Sequence, residues 1–144
     1  MTTRPLPEAT FRVLLSLLFL VSGTTHLLKP AAIAARLDTA PFAHLVALIA
    51  PSATLVFLTG VGLVAGGLAL FAGFQTRLAA LGLIAILVPI TLTVQMTPEA
   101  LGPLFKNVAI LGGLIFFAAH GSDAFSVDGL LRRRSGRVLD PVLS

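Results

Sequence analysis

Residues 52–74 read SATLVFLTGVGLVAGGLALFAGF and contain no charged side chain. A helix needs roughly 20 predominantly apolar residues to cross the hydrocarbon core of a bilayer, and this stretch is long enough. Its small residues recur every three or four positions, at Gly62, Gly66, Ala69 and Gly73. This spacing places them on one helical face, where a neighbouring helix can approach closely. The stretch therefore predicts a transmembrane helix packed against other helices.

Three further apolar runs predict three more transmembrane helices and hence a four-helix bundle. The run that ends at Leu28 has a basic start, as a cleaved signal peptide has, but it exceeds most signal cores of roughly 7–15 residues, so we expect it to remain a span. Pro89 predicts a kink in the third helix. The fourth helix must begin near or before Lys106 because the uncharged run after this lysine is short. The predicted spans are about residues 11–28, 52–74, 78–96 and 104–120.

The segment between the first two spans is Ala-rich and polar enough to lie at the membrane surface. Pro41 divides it into two helical pieces that are too short to span. The predicted fold class is all-α: an integral membrane four-helix bundle with a short interfacial or re-entrant helical segment between helices 1 and 2. The transmembrane domain would cover residues 1–131, and residues 132–144 would form a basic cytoplasmic tail.

Composition excludes several classes of function. Hydrophobic residues make up 56% of the chain and charged residues 11%, with a mean hydropathy of +0.99, whereas about 25% of an average soluble domain is charged. The net charge of +4 comes from residues at span ends, which argues against nucleic-acid binding. Cys, Trp and Tyr are absent, so thiol and aromatic-radical chemistry are excluded. Any redox role needs a bound cofactor or a partner.

The distribution of basic residues predicts the orientation in the membrane, because cytoplasmic loops carry an excess of Lys and Arg. Three lie on one side of the predicted bundle, Lys29, Arg36 and Lys106, and the other seven lie on the opposite side. This asymmetry places both termini in the cytoplasm. The seven are Arg4, Arg12, Arg77, Arg132, Arg133, Arg134 and Arg137.

Six polar residues at the predicted outer ends of the spans are candidates for one ligand pocket. An ionisable group at membrane depth is costly, so Lys106, beside Asn107 at the opening of the fourth span, calls for a partner. A quinone or similar headgroup would find hydrogen-bond donors there. The alternative is structural: Lys106 reaches the interface, Asn107 caps its helix and His26 bonds a nearby carbonyl. The six residues are Ser22, Thr25, His26, Gln95, Lys106 and Asn107.

Haem, metal and catalytic side chains are not expected. His26 and His120 would end different spans on opposite sides, ~30 Å apart, too far to ligate one iron. Every carboxylate falls in a connection or at an end, so an ion relay through the bilayer centre lacks its usual group. The carboxylates are Glu8, Asp38, Glu99, Asp123, Asp128 and Asp140.

The basic tail predicts a contact with the membrane surface or with a partner. Clusters of arginine beside a membrane attract anionic lipid, by about 1 kcal/mol per residue near the surface. A docking surface for a cytoplasmic protein is the alternative. The candidate contact residues are Arg132, Arg133, Arg134 and Arg137.

Three groups of segments, through their sequence and their order along the chain, resemble the DoxX family of small four-helix membrane proteins. The likeness runs from about residue 11 to 129. The resemblance implies a bacterial cytoplasmic membrane and a family named for a subunit of a thiosulfate:quinone oxidoreductase, with other members associated with oxidoreductase assemblies. The segments are Leu18 to Gly23 with Lys29-Pro30; Gly66-Gly67, Gly73 and Thr76 to Ala80; and Lys106 to Leu114 with Gly121 and Ser126-Val127-Asp128.

These observations together predict an integral membrane subunit that supports or anchors a membrane redox complex. Its partners would be the bilayer and oxidoreductase subunits, its candidate cofactor a quinone, and its role accessory and non-catalytic. Two alternatives stay open. One is a small-molecule or lipid transporter, gated by Pro89 and the surface segment and working as a homo-oligomer. The other is a structural membrane organiser without a ligand.

Overall fold

A computed structural model describes residues 5–95 and 100–139, apart from the side chains of residues 46–47 and 134–139. Within these ranges the chain forms seven α-helices and no strand. They are α1 (Pro5–Leu28), α2 (Pro30–Asp38), α3 (Ala43–Ala47), α4 (Ser52–Ala72), α5 (Thr76–Val94), α6 (Leu101–His120) and α7 (Val127–Leu139).

Four of these helices, α1, α4, α5 and α6, are long and apolar enough to cross a membrane. The predicted all-α membrane bundle is thereby confirmed. Helix α1 begins at Pro5, earlier than the apolar run, and it therefore contains Glu8. Glu8 lies in the first turn of α1. It therefore agrees with the expectation that every carboxylate lies in a connection or at a span end. Helix α5 continues through Pro89 without interruption.

The helices between α1 and α4 follow the division predicted at Pro41. Helix α2 packs on α4 and also touches α1 and α5, so it covers one end of the bundle. The Ser52 hydroxyl donates to the Asp38 carboxylate, which ties the end of α2 to the start of α4. After the last span, α7 is helical where a tail was predicted, and the expected boundary at residue 131 falls inside it.

The bundle packs in the order α1, α4, α5, α6. Its core contains buried side chains from all four spans, Phe19, Leu70, Leu83 and Phe117 among them. The predicted small face of α4 receives side chains of α5, because Gly62 faces Ile86 and Gly66 faces Leu83.

The backbones of α1 and α4 approach most closely at Gly23, and not on the predicted small face of α4. A methyl group on Gly23 would lie 2.9 Å from the backbone nitrogen of Val64. Real carbon atoms do not approach so closely, and the α1–α4 crossing therefore depends on glycine at position 23.

Candidate functional site

The bundle has two chemically different ends. At the first, called the His26 end, α1 and α5 finish, α6 begins and α2 lies across the bundle. The second, called the Arg12 end, contains Arg12, the turn 73–75 and the connection 121–126. Each end gathers polar groups from several helices, and the cavity is at the His26 end.

The cavity, called the His26 cavity below, has a volume of about 420 Å³. The six residues predicted from the sequence all line it. Its walls also contain three polar side chains that the sequence did not single out, because α2 and the interior of the spans supply them: Arg36, Thr59 and Thr93. The predicted residues are Ser22, Thr25, His26, Gln95, Lys106 and Asn107.

Asn107 forms the buried polar part of the wall. Its side chain is 4% exposed and its Nδ2 donates to Thr91 Oγ1 over 2.8 Å. The Thr91 hydroxyl in turn donates to the backbone oxygen of Leu87 at 2.7 Å. Because α6 begins at Leu101, Asn107 lies beyond the first turn and neither caps nor opens this helix. Asn107 instead joins α6 to α5.

His26 has one ring nitrogen engaged. Its Nδ1 lies 2.8 Å from the backbone oxygen of Ser22, one turn earlier in α1. A carbonyl oxygen only accepts, so Nδ1 carries the proton in this contact. In neutral imidazole the other nitrogen, Nε2, is then an acceptor, and in the protonated ring it is a donor. His26 can therefore pair with either kind of ligand atom.

The cavity wall carries positive charge. Three of the described lining side chains are basic, His26, Arg36 and Lys106, and none of the described lining residues is acidic. Arg36 and Lys106 form no ion pair within the part of the chain that the structure describes. Gln95 Oε1 is buried and has no hydrogen-bond partner among the described residues. An unsatisfied buried acceptor costs roughly 1–3 kcal/mol, so a ligand donor at this position would recover stability.

The deeper wall is apolar, and a groove on the surface between α1 and α6 adjoins the cavity. The groove shares Leu18, Ser22 and Lys106 with the cavity. Its other lining residues come from α1 alone: Leu14, Leu17 and Val21. A ligand with an apolar tail could therefore enter the cavity from the lipid along this groove.

Arg12 organises the Arg12 end. Its side chain is 2% exposed. One guanidinium nitrogen donates to Ser122 Oγ at 2.5 Å and to the backbone oxygen of Ala124 at 3.2 Å, and the other donates to the backbone oxygen of Phe125 at 2.8 Å. Ser122 Oγ also lies 2.7 Å from Glu8 Oε1. These contacts join the start of α1 to the connection after α6.

Asp128 fixes α7 to the turn between α4 and α5. Its Oδ2 accepts from the backbone nitrogen and the hydroxyl of Thr76, both at 2.9 Å, and its Oδ1 accepts from the backbone nitrogen of Gln75 at 2.8 Å. Burial raises the pKa of Asp128, but these hydrogen bonds and the charge of Arg132 outweigh it and hold the pKa below its ordinary value. The carboxylate thus caps α5 from a distant part of the chain.

The remaining sequence candidates lie near α7 or apart from one another. Arg132 pairs with Asp123 at 2.9 Å on an exposed surface, and Arg133 is exposed. The side chains of Arg134 and Arg137, and the whole of Arg4, are outside the described residues. His120 ends α6 at the Arg12 end, away from His26.

The comparisons with known proteins identify a family but no individual relative. The model of the DoxX family matches residues 9–96. No curated protein and no solved structure matches the chain. The matched range covers more than half of the 144 residues and includes two of the three groups of segments that carry the resemblance. This chain belongs to the DoxX family.

Proposed function

We propose that this chain is a membrane subunit of a redox complex and that it holds the headgroup of a quinone in the His26 cavity. The observation that carries the proposal is the cavity itself, in which polar side chains of α1, α2, α5 and α6 meet above an apolar wall. Membrane ligand pockets combine a mostly apolar lining with a few polar groups that fix orientation. A quinone has this same division between headgroup and tail.

Both redox forms of a quinone find partners on this wall. The carbonyl oxygens of the oxidised form accept hydrogen bonds, and Arg36 and Lys106 are donors on two different helices. The hydroxyls of the reduced form donate, and neutral His26 leaves Nε2 as an acceptor. The groove between α1 and α6 gives a quinone a path from the lipid to the cavity.

A supporting role in a larger complex follows from the chemistry that the chain lacks. With no Cys, Trp or Tyr, its own side chains cannot carry electrons to a bound quinone. In our proposal a partner oxidoreductase supplies them. Purification from the native membrane in mild detergent tests this part of the proposal, which expects oxidoreductase subunits in stoichiometric amounts. Recovery of the chain alone, with neither partner nor quinone, would contradict it.

Binding of decylubiquinone to the purified full-length chain tests the cavity. We expect Lys106→Met to weaken binding about tenfold or more, because a hydrogen bond to a charged group is worth about 1.5–3 kcal/mol. His26→Ala should weaken it about fivefold, as for a neutral hydrogen bond. The matched controls are Lys29→Met and His44→Ala, whose side chains do not line the cavity. Parent-like binding by both cavity variants would refute the proposal.

An acidic lipid is the second candidate ligand, and the charge of the wall favours it. Among the described residues that line the cavity, Arg36 and Lys106 are cationic and none is acidic, so a carboxylate headgroup would be attracted where a neutral quinone is only hydrogen-bonded. Competition between oleate and decylubiquinone separates the two. If oleate displaces the quinone analogue, and Arg36→Gln abolishes this displacement, the resident ligand is an acidic lipid.

A further inference from the structure

A buried side chain of the His26 cavity has a hydrogen-bond acceptor that the described chain leaves unpaired. Asn107 lines the cavity and is 4% exposed. Its Nδ2 donates to Thr91, and its Oδ1 accepts no hydrogen bond from the described residues. The described buried atoms that are both enclosed and unpaired are Arg12 Nε and Gln95 Oε1. Because Asn107 Oδ1 is not one of these enclosed atoms, it is open to the cavity and available to a ligand.

The Thr91 hydroxyl determines which atom of the Asn107 amide faces the cavity. Its single proton goes to the backbone oxygen of Leu87, since a carbonyl only accepts. Thr91 Oγ1 then has only lone pairs for α6, so the amide atom that contacts it is the donor, Nδ2. Thr91 is 6% exposed and is not among the described lining residues. It therefore positions the Asn107 acceptor without contacting the ligand space.

Three further polar atoms of the wall can accept a hydrogen bond but have no proton to donate. The hydroxyl protons of Thr25 and Thr93 go to the backbone oxygens of Val21 and Pro89, one turn earlier in each helix. Only lone pairs remain on these two hydroxyl oxygens. Neutral His26 presents Nε2 as an acceptor, because its Nδ1 carries the proton. The uncharged part of the wall therefore favours a ligand that donates.

The charged donors of the wall lie nearer the surface than Asn107. Arg36 and Lys106 are exposed residues, whereas Asn107 is buried. The hydroxyls of Ser22 and Thr59 have no partner among the described residues, and they can turn either to donate or to accept. A headgroup in the cavity therefore meets cationic donors on its outer side and an unpaired acceptor on its inner side.

We infer that the His26 cavity selects the reduced form of its quinone, with Asn107 as the specificity-determining residue and Thr91 as the residue that positions it. The inference rests on the proposed quinone function. A quinone carbonyl only accepts, so it pairs with Arg36 or Lys106 but leaves Asn107 Oδ1 buried and unpaired, which costs affinity. A quinol hydroxyl both donates and accepts, so one hydroxyl pairs with Asn107 and the other accepts from a cation. Of the two forms, the quinol satisfies both sides of the cavity.

Anaerobic titration of the purified full-length chain with decylubiquinol and with decylubiquinone tests the inference through the ratio of the two Kd values. We expect the parent chain to bind the quinol about fivefold or more tightly, which is the lower end of the cost of an unpaired buried acceptor. Equal binding, or tighter binding of the quinone, would overturn the inference and leave the proposed function standing. Binding of neither form would refute the proposed function itself, and the inference with it.

Variants of two lining residues test the assignment of Asn107. Asn107→Leu removes the acceptor and should weaken quinol binding until the two Kd values agree within about twofold. If this variant weakens both forms equally, Asn107 is structural and the assignment is wrong. Lys106→Met is the control, because Lys106 donates to an oxygen of either form and its loss should weaken both without changing the ratio. A change of ratio equal to that of Asn107→Leu would overturn the inference.

The positioning role of Thr91 is tested without altering the cavity wall. Thr91→Val keeps the size of the side chain but removes the oxygen that orients the Asn107 amide. We expect it to lower the preference for quinol toward that of Asn107→Leu. Thr91→Ser retains the hydroxyl and should keep the parent ratio. A parent-like ratio for Thr91→Val, or the same loss for Thr91→Ser, would overturn the positioning role.

Discussion

Arg12 shows what a local pattern can and cannot predict about one residue. An arginine at the start of an apolar run is typical of a side chain that reaches the membrane surface, and the sequence pattern indicates only its contribution to orientation. In the structure the side chain is buried. The Ser122 oxygen that it contacts is 110 positions away in the sequence, and no short-range spacing encodes such a pairing.

We expect Arg12→Lys to destabilise the chain by about 2 kcal/mol, although the charge is kept. A lysine cannot reach Ser122 and both carbonyls with one ammonium group, and a carbonyl left unpaired costs about 1–3 kcal/mol. Unfolding in detergent with increasing dodecyl sulfate measures the change. Arg36→Lys is the matched control on an exposed arginine and should unfold like the parent. Equal stability of the two variants would contradict the buried role of Arg12.

Asp128 predicts a dependence of stability on pH. Its pKa is held below the ordinary value, mainly by hydrogen bonds from Thr76 and Gln75 acting against burial. A carboxylate with a lowered pKa contributes stability that is complete above the unfolded pKa, about 4, and is lost as pH falls through the folded pKa. Acid below about pH 4 should therefore weaken the attachment of α7 and the start of α5.

Asp128→Asn checks this assignment. At pH 7 we expect a loss of about 2 kcal/mol, since hydrogen bonds to a charged group are replaced by weaker ones. The difference between parent and variant should shrink as unfolding is measured at successively lower pH, down to pH ~3, where the parent carboxylate also becomes neutral. Asp123→Asn should cost less than about 1 kcal/mol because its ion pair is exposed. A difference that does not change with pH would be evidence against the carboxylate's role.

At the scale of elements, the transmembrane helices could be predicted from the sequence because each must hide its backbone in a long apolar run. Their contacts could not. The small residues of α4 form more than one face, and spacing alone favoured Gly62 and Gly66 for close backbone approach. In the structure, side chains of α5 pack against these two glycines, and the close backbone approach is between Gly23 and α4. Which face meets which helix depends on the whole bundle.

Two glycines on different helices test this packing. A methyl group at Gly23 would overlap the Val64 backbone, whereas one at Gly82 would meet nothing within 4 Å. We expect Gly23→Ala to destabilise by about 1–3 kcal/mol through overpacking. Gly82→Ala should be neutral or stabilise by up to about 1 kcal/mol, from helix propensity alone. The same dodecyl sulfate titration compares them, and similar results for both would disprove the α1–α4 approach.

At the scale of the whole molecule, the six polar residues chosen from the sequence line one cavity because helix ends at the same membrane level meet in any antiparallel bundle. Arg36 was missed as a lining residue because only the fold of α2 over α4 brings it there. The groove between α1 and α6 was also beyond sequence reasoning, since it exists where two helices do not pack closely. We propose it as the route of a ligand from the lipid to the cavity.

If this groove is the route, filling it should change rates of ligand exchange and leave affinity intact. Leu17 lines the groove but not the cavity and is 44% exposed. We expect Leu17→Trp to slow both association and dissociation of decylubiquinone several-fold with the same Kd, because the bulk affects the path and not the bound state. Leu68→Trp, on a 55% exposed position of α4, is the matched control and should bind at the parent rates. Stopped-flow measurements on the chain in nanodiscs give both rates. Unchanged rates for Leu17→Trp would mean that the ligand reaches the cavity past α2 from the aqueous side, and a changed Kd would mean that the groove itself holds part of the ligand.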